Sequence, residues 1–427
     1  MQQTISRRTL LQGGAAIAGA MLLPWSAHGQ AVRLRGAWWG SQERSKRTLS
    51  VGELYKQKTG IVFEGEGAGW ADYWPRLATQ VGGGNPPDIM QMELSTLGEY
   101  ARRGVLLALD DYLGKALDLS DFDRSQIDGG MVDGRFYAVS LGTTANGMMV
   151  NAKAWEEAGV ELPTAESTWE DIGRMGEQVT KALGRPNYFG LQDSSGIEAV
   201  IESWLIQRGK HLYNADGTLG YDAKDAGEWF AMWAEFRKRG ACVTPDLQAL
   251  DQVSIETSML TLGHSASSFG SANQLVGFQA LNQDPILPAP MPKLGDNPTN
   301  GIYVKPSQFF SVAAGSDYPD EAVAFINFFV RDNEAASILG LERGIPASAA
   351  VREALTAKLG EVERRAAEYV SLVSPIAGPL PPAAPAGAAE INATLKRVSE
   401  EVAFGQLTPA EAGEALVAQA TDILGRT

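Results

Sequence analysis

One cysteine, Cys242, and three histidines are all the thiol and imidazole groups in 427 residues. A single thiol cannot close an intramolecular disulfide. So few soft ligands also leave a haem or iron–sulfur site almost nothing to hold it. Cys242 sits among Gly240, Ala241 and Val243 and reads as a small buried thiol. Long apolar runs are missing as well, since the mild run from Ala15 to Leu23 is too short to span a bilayer. Basic residues number 36 against 51 acidic ones, a net charge of -15, which argues against nucleic acid or an anionic membrane as partner. No G-x-S-x-G elbow, H-E-x-x-H helix or Walker loop occurs. Gly65, Gly67 and Gly69 alternate after a strand pattern, but Trp70 stands where a dinucleotide fingerprint needs its last glycine. No cofactor and no metal site is therefore expected.

The chain is long enough for two domains with full cores, and 44% hydrophobic with 20% charged residues is ordinary for a folded protein. Residues 1–29 read as a twin-arginine signal peptide: Ser6-Arg7-Arg8-Thr9-Leu10-Leu11, the apolar run, then the small-x-small site Ala27-His28-Gly29. Cleavage is expected near Gly29, with release into the periplasm. No cysteine lies near that site to carry a lipid anchor.

The most informative stretch runs from Trp38 to Gln91. Val32 and Leu34 alternate, Leu49, Leu54 and Tyr55 recur at helical spacing, and Ile61-Val62-Phe63 is a second short apolar run. A third strand, Ile89 to Met92, follows the turn Gly82-Gly83-Gly84-Asn85-Pro86-Pro87-Asp88. Parallel strands joined by helices gather their loops at one sheet edge, where ligands bind. Here those loops carry Trp38, Trp39, Ser41, Trp70 and Glu93. Aromatic rings with a few polar groups suit a ligand that is flat on one face and hydroxylated at its rim.

The runs W-W-G-S-x-E-R, G-W-x-x-Y-W-x-R-L-x-T-Q and G-G-G-N-P-P-D-I resemble the amino-terminal lobe of extracellular (periplasmic) solute-binding proteins of carbohydrate ABC importers, family 1, the maltose/oligosaccharide-binding type. The resemblance covers nearly all of the chain after residue 29. It implies an α/β, two-lobed periplasmic-binding-protein fold (type II), each lobe a mixed sheet flanked by helices and hinged by crossover segments. The lobes are expected as residues 30–145 with 288–335, and 146–287 with 336–427. It also implies a monomer that captures a mono-, di- or oligosaccharide by hinge closure and presents it to inner-membrane permease subunits.

Trp39 and Trp70 are the stacking candidates. Ser41, Arg44, Glu93, Thr144, Asn146, Ser271, Asn273 and Arg343 are the polar ones, with Phe269 and Tyr303 beside them. Thr143 to Asn151 and Arg343-Gly344-Ile345-Pro346 resemble the family's crossings, and Gly142 to Gly147 reads as flexible. Strands at Ile302–Val304 and Phe309–Val312 are expected to rejoin the first sheet. Trp229, Phe230, Trp233 and Phe236 share one helical stripe and read as core, as do Trp74 and Trp204. Thr408-Pro409-Ala410-Glu411 reads as a capping box.

Positions that resemble the maltose-binding pattern carry Met92, Ser95 and Thr144, which puts a maltodextrin in doubt. The W-W-G and G-W-x-x-Y runs look more like oligogalacturonide and arabinose-oligomer binders. If Arg44 and Arg343 both faced the cleft, a uronate carboxylate would be a natural partner. A periplasmic glycoside hydrolase or polysaccharide lyase is the enzymatic alternative, but no spacing argument pairs Glu66 with Glu93 across a scissile bond. A chaperone-like export partner is a third reading.

Overall fold

A computed structural model describes residues 32–426, so the twin-arginine segment lies outside the described residues. Three βα units open the chain. The strands β1 (Arg33–Trp39), β2 (Val62–Ala68) and β3 (Ile89–Met92) are each followed at once by a helix, Gln42–Thr59, Trp70–Gly82 and Leu94–Arg102. β1 lies between β2 and β3, parallel to both. A small hairpin, β4 (Met131–Val132) with β5 (Arg135–Phe136), precedes β6 (Val139–Ser140) and the long β7 (Thr143–Asn151). β8 (Ser267–Ser271), β9 (Ile286–Ala289), β10 (Val304–Pro306) and β11 (Phe309–Val312) complete the strands.

The first sheet runs β2-β1-β3-β11-β6, with β11 antiparallel to both of its neighbours. In the second, β7 pairs antiparallel with β10 at its start and with β8 and β9 further along. Residues 143–147 are thus part of a continuous strand rather than a flexible loop, because β10 and β8 satisfy the backbone of β7. Phe309–Val312 joins the first sheet as expected. Val304–Pro306 instead pairs with Thr143–Ala145, so the chain returns between sheets only after Pro306.

The expected lobe boundaries need the same correction. Pro288 and Ala289 lie in β9 against Met149 and Met148 of the second sheet. Helix Asn333–Leu339 packs on Gln42–Thr59 of the first lobe.

Each lobe has its own core. Trp38, Val51, Phe63, Phe310, Phe325 and Phe329 fill one side of the first sheet, while Met90, Met92, Tyr73 and Phe309 fill the other. The second core is built on Trp155, Trp169, Trp229, Trp233 and Phe269. The stripe Trp229, Phe230, Trp233 and Phe236 is fully buried, and Trp204 packs on Trp229. Cys242 is buried in this core, and that burial pushes its thiol well above the ordinary range. Glu411 and Thr408 exchange bonds at the start of Pro409–Arg426, the capping box read from the sequence. Beyond the third crossing run helices Ala349–Thr356 and Glu361–Val373, with Gly360 at the start of the second. Among the described residues no helix is long and apolar enough to cross a membrane.

Candidate functional site

The carboxyl ends of β1, β2 and β3 open on one cavity of about 860 Å3, and the second lobe closes its far side. That volume is in the upper part of the range of about 300–1,000 Å3 usual for small-molecule sites. Trp39 and Ser41 reach it from the end of β1, Trp70 from the first turn after β2, and Glu93 from the end of β3.

Neighbouring strand residues face opposite ways, and this separates the two adjacent tryptophans. Trp38 is fully buried, stacks on Phe63 and donates from Nε1 to Ser45 Oγ at 3.1 Å. Trp39 faces the other side and meets Trp70 edge-on at 5.0 Å, Tyr73 at 5.3 Å and Trp74 at 5.3 Å. Tyr73 is fixed beneath this cluster by a 2.7 Å bond from its hydroxyl to the Gln91 carbonyl. The result is a wall of three indoles with Trp70 and Trp74 only half-buried. Trp74 was expected in the core. It lies one helical turn after Trp70, so the i, i+4 spacing of the two rings carried the signal for a shared face.

Nine of the twelve candidates, Trp39, Ser41, Arg44, Trp70, Glu93, Asn146, Ser271, Asn273 and Tyr303, line the cavity. Thr144, Phe269 and Arg343 do not. The Thr144 hydroxyl accepts from Asn273 N at 3.3 Å, and so holds a lining residue from behind. Phe269 stacks on Trp169 at 5.8 Å inside the second core. Arg343 is 2% exposed; it donates to Gln91 Oε1 at 2.6 Å and Thr48 Oγ1 at 2.7 Å, and lies over the rings of Phe310 and Phe329. Burial, reinforced by nearby Arg44, pushes its guanidinium down to about 9.

Arg44 touches the cavity, but its charge is committed. Its Nε lies 2.8 and 2.9 Å from the two carboxylate oxygens of Glu342, and Nη1 donates to the Trp39 carbonyl at 3.1 Å. Gly40, at φ 144°, makes room for this: a Cβ there would stand 2.3 Å from Arg44 Cδ. The two arginines therefore do not face the cleft together, and the condition for a uronate clamp is not met.

The rest of the wall was not legible as a site. Lys305 of β10 is ion-paired with Glu93. Glu198 begins helix Glu198–Ile206, accepts from Asn392 Nδ2 at 2.9 Å and is met by the Ser95 hydroxyl. Burial first, and then the Glu93 carboxylate, push Glu198 up to about 7. Val253, at φ 55°, also lines the cavity. A β-branched residue in that region is strained by about 1–3 kcal/mol. Its N–H is held by Asp251 Oδ1 at 2.8 Å, and burial raises the Asp251 carboxyl to about 6.

The Glu198 shift has a measurable consequence. Unfolded, the carboxyl ionises at about 4; folded, it keeps its proton to about 7. Between those values the folded state binds the extra proton, so this contribution to stability is complete below about pH 4 and is lost as pH rises through 7. Glu198→Gln is expected to flatten that part of the melting temperature–pH curve. An unchanged slope between pH 5 and 8 would show that Glu198 ionises normally.

Residues 51–362 match the family described as bacterial extracellular solute-binding protein. A binding protein of Brucella abortus is 26% identical over 175 residues, which is 40% of this chain and 41% of that one, so the match spans about two fifths of that relative's length. The diacetylchitobiose binding protein of Streptomyces coelicolor is 24% identical over 310 residues, 70% of this chain and 69% of that one. Among solved structures, a periplasmic oligogalacturonide binding protein from Yersinia enterocolitica in complex with saturated digalacturonic acid superposes with a TM-score of 0.82. It is 23% identical, over 92% of this chain and 99% of that chain. The likeness shows a shared two-lobed fold.

Proposed function

The chain belongs to the bacterial extracellular solute-binding proteins, and from that premise we propose that it is the periplasmic substrate-binding component of an ABC importer that captures a di- or oligosaccharide. The observation that supports this most directly is one cavity lined both by the indoles of Trp39, Trp70 and Trp74 and by the polar Asn146, Ser271 and Asn273. Indole faces take the C–H faces of a pyranose, and amide and hydroxyl groups take its hydroxyls. The relatives' names, a diacetylchitobiose binder and an oligogalacturonide binder, support a sugar ligand without choosing one.

The lobes are residues 32–140 with 309–345, and residues 143–306 with 361–426, joined where the chain passes between the sheets. Ligand contacts both lobes, favours the closed form by its differential affinity, and so presents a closed surface to permease subunits. The protein acts as a monomer, exported by the twin-arginine route, and binds its sugar without chemistry. A thermal-shift panel of neutral, amino and acidic disaccharides, followed by calorimetry and small-angle scattering, tests this reading. A raised melting temperature with compaction is expected. Product formation from a bound sugar, or tight binding with no compaction, would sink it.

Trp70→Ala should weaken binding far more than folding, because the ring is half-buried and its exposed part faces the cavity. Losing its contact with ligand removes about 1.5–3 kcal/mol, a tenfold or larger rise in Kd. Calorimetry beside a melting curve checks both halves. A Kd unchanged by the substitution would remove the indole wall from the binding site.

A further inference from the structure

The cavity's charges are unequally committed. Four cations line it: Arg44, Arg103, Lys305 and Lys396. Each is already ion-paired, with Glu342, Glu99, Glu93 and Glu400 respectively. Of the lining carboxylates, Glu202 is held by His211 Nδ1 at 2.9 Å and Leu212 N at 2.7 Å, and Glu390 is paired with Arg426 at 3.2 Å. Glu198 is different. It is met by the neutral Asn392 amide and the Ser95 hydroxyl, and no ion pair reaches it among the described residues.

We infer that the ligand for which this cavity is built carries a positive charge, and that it is an amino sugar whose ammonium group sits against Glu198. This rests on the reading of the cavity as a sugar site. Two observations converge on it. An anionic ligand would meet no cation without an ion pair, and it would be repelled by Glu93 and Glu202, which already raise the charging cost of Glu198. A neutral sugar would leave Glu198 holding its proton and would offer no cation to the one lining carboxyl that has no ion pair among the described residues. The indole wall adds a surface that itself favours cations.

The groups facing Glu198 are Glu93 and Ser95 at the end of β3, Lys305 of β10, Glu202 on its own helix, Asn392 from helix Ala388–Ala403, and the buried Tyr213 and Tyr303, whose hydroxyls are held well above the ordinary range by burial first and then by nearby carboxylates that include Glu198. Of these only Lys305 is cationic, and Glu93 takes its charge. An ammonium at this position lowers the free energy of the ionised carboxylate, so binding should release a proton at about neutral pH.

The test is calorimetry at about pH 7 on matched disaccharides. The probes are neutral cellobiose, maltose and lactose, the counterpart of each with amino groups at C2, and digalacturonate. The expected order is amino over neutral by at least tenfold, with digalacturonate weakest, and proton release on binding of the amino sugar in buffers of different ionisation enthalpy. Glu198→Gln should reduce the ratio of amino to neutral affinity about tenfold and abolish the proton release. Neutral sugars binding as tightly as their amino counterparts, or digalacturonate binding best, would overturn the inference while leaving the sugar reading intact. Failure of every disaccharide to bind would overturn the sugar reading first, and the inference with it.

Discussion

Replacing Glu342 with alanine is expected to lower stability by about 3–5 kcal/mol, the usual effect of removing one partner from a buried ion pair. The Arg44 and Glu342 side chains are 4% and 1% exposed, and both carboxylate oxygens are used by Arg44 Nε. The neighbouring Arg343 is buried as well, and Arg44 already opposes its charge. Without Glu342 the first lobe would hold two buried guanidiniums and lose the carboxylate that compensates both. Arg44 also carries the Trp39 carbonyl, so the damage should extend to the indole wall. The double variant Arg44→Met with Glu342→Leu should recover most of the loss, because a well-packed apolar pair avoids the desolvation of both charges. Chemical denaturation of Arg44→Met, Glu342→Leu and their double variant isolates the coupling. A Glu342→Ala loss below about 1 kcal/mol would mean that water reaches the pair.

This pair also shows where the sequence stops being readable. The front wall was legible because its residues lie at strand–helix junctions of a repeating βα pattern, and the pattern itself says which edge binds. Trp39, Trp70 and Glu93 follow from it. The buried roles of Arg44 and Arg343 did not follow, because Arg44 is separated from its partner Glu342 by 298 residues and pairing at that distance leaves no local periodicity. Phe269 was placed in the cleft by its position in a strand that ends there. It shares a face of that strand with Ser271 but lies deeper, stacked on Trp169 in the second core, and only Ser271 at the strand's end reaches the cavity. The rear wall of Ile197, Glu198, Tyr213 and Val253 comes from irregular connections and a helix start. There no period of 2 or 3.6 distinguishes a lining residue from a surface one.

The second large effect is expected at Gly142, where the three crossings meet. Its carbonyl accepts from Ser307 N at 2.8 Å on the return crossing. On the other side Thr143 and Ile345 exchange backbone bonds of 2.6 and 2.9 Å. A Cβ at Gly142 would stand 2.6 Å from the Arg343 carbonyl oxygen, 2.9 Å from Gly344 C and 3.0 Å from the Ile345 carbonyl oxygen. All three are backbone atoms held by those bonds, so no rotamer change can relieve the clash, and the crossings must separate. Gly142→Ala is therefore expected to lower stability by about 1–3 kcal/mol or more. Because the separated segments are the ones that connect the lobes, it should also weaken sugar binding without touching a lining residue. Gly82→Ala is the control. It ends helix Trp70–Gly82 with nothing within 4 Å of an added Cβ, so it should be neutral or stabilising by up to about 1 kcal/mol. Melting curves and sugar calorimetry on both variants decide the matter: if Gly142→Ala behaves like Gly82→Ala, the crossings are loose, and closure must be governed elsewhere in the chain.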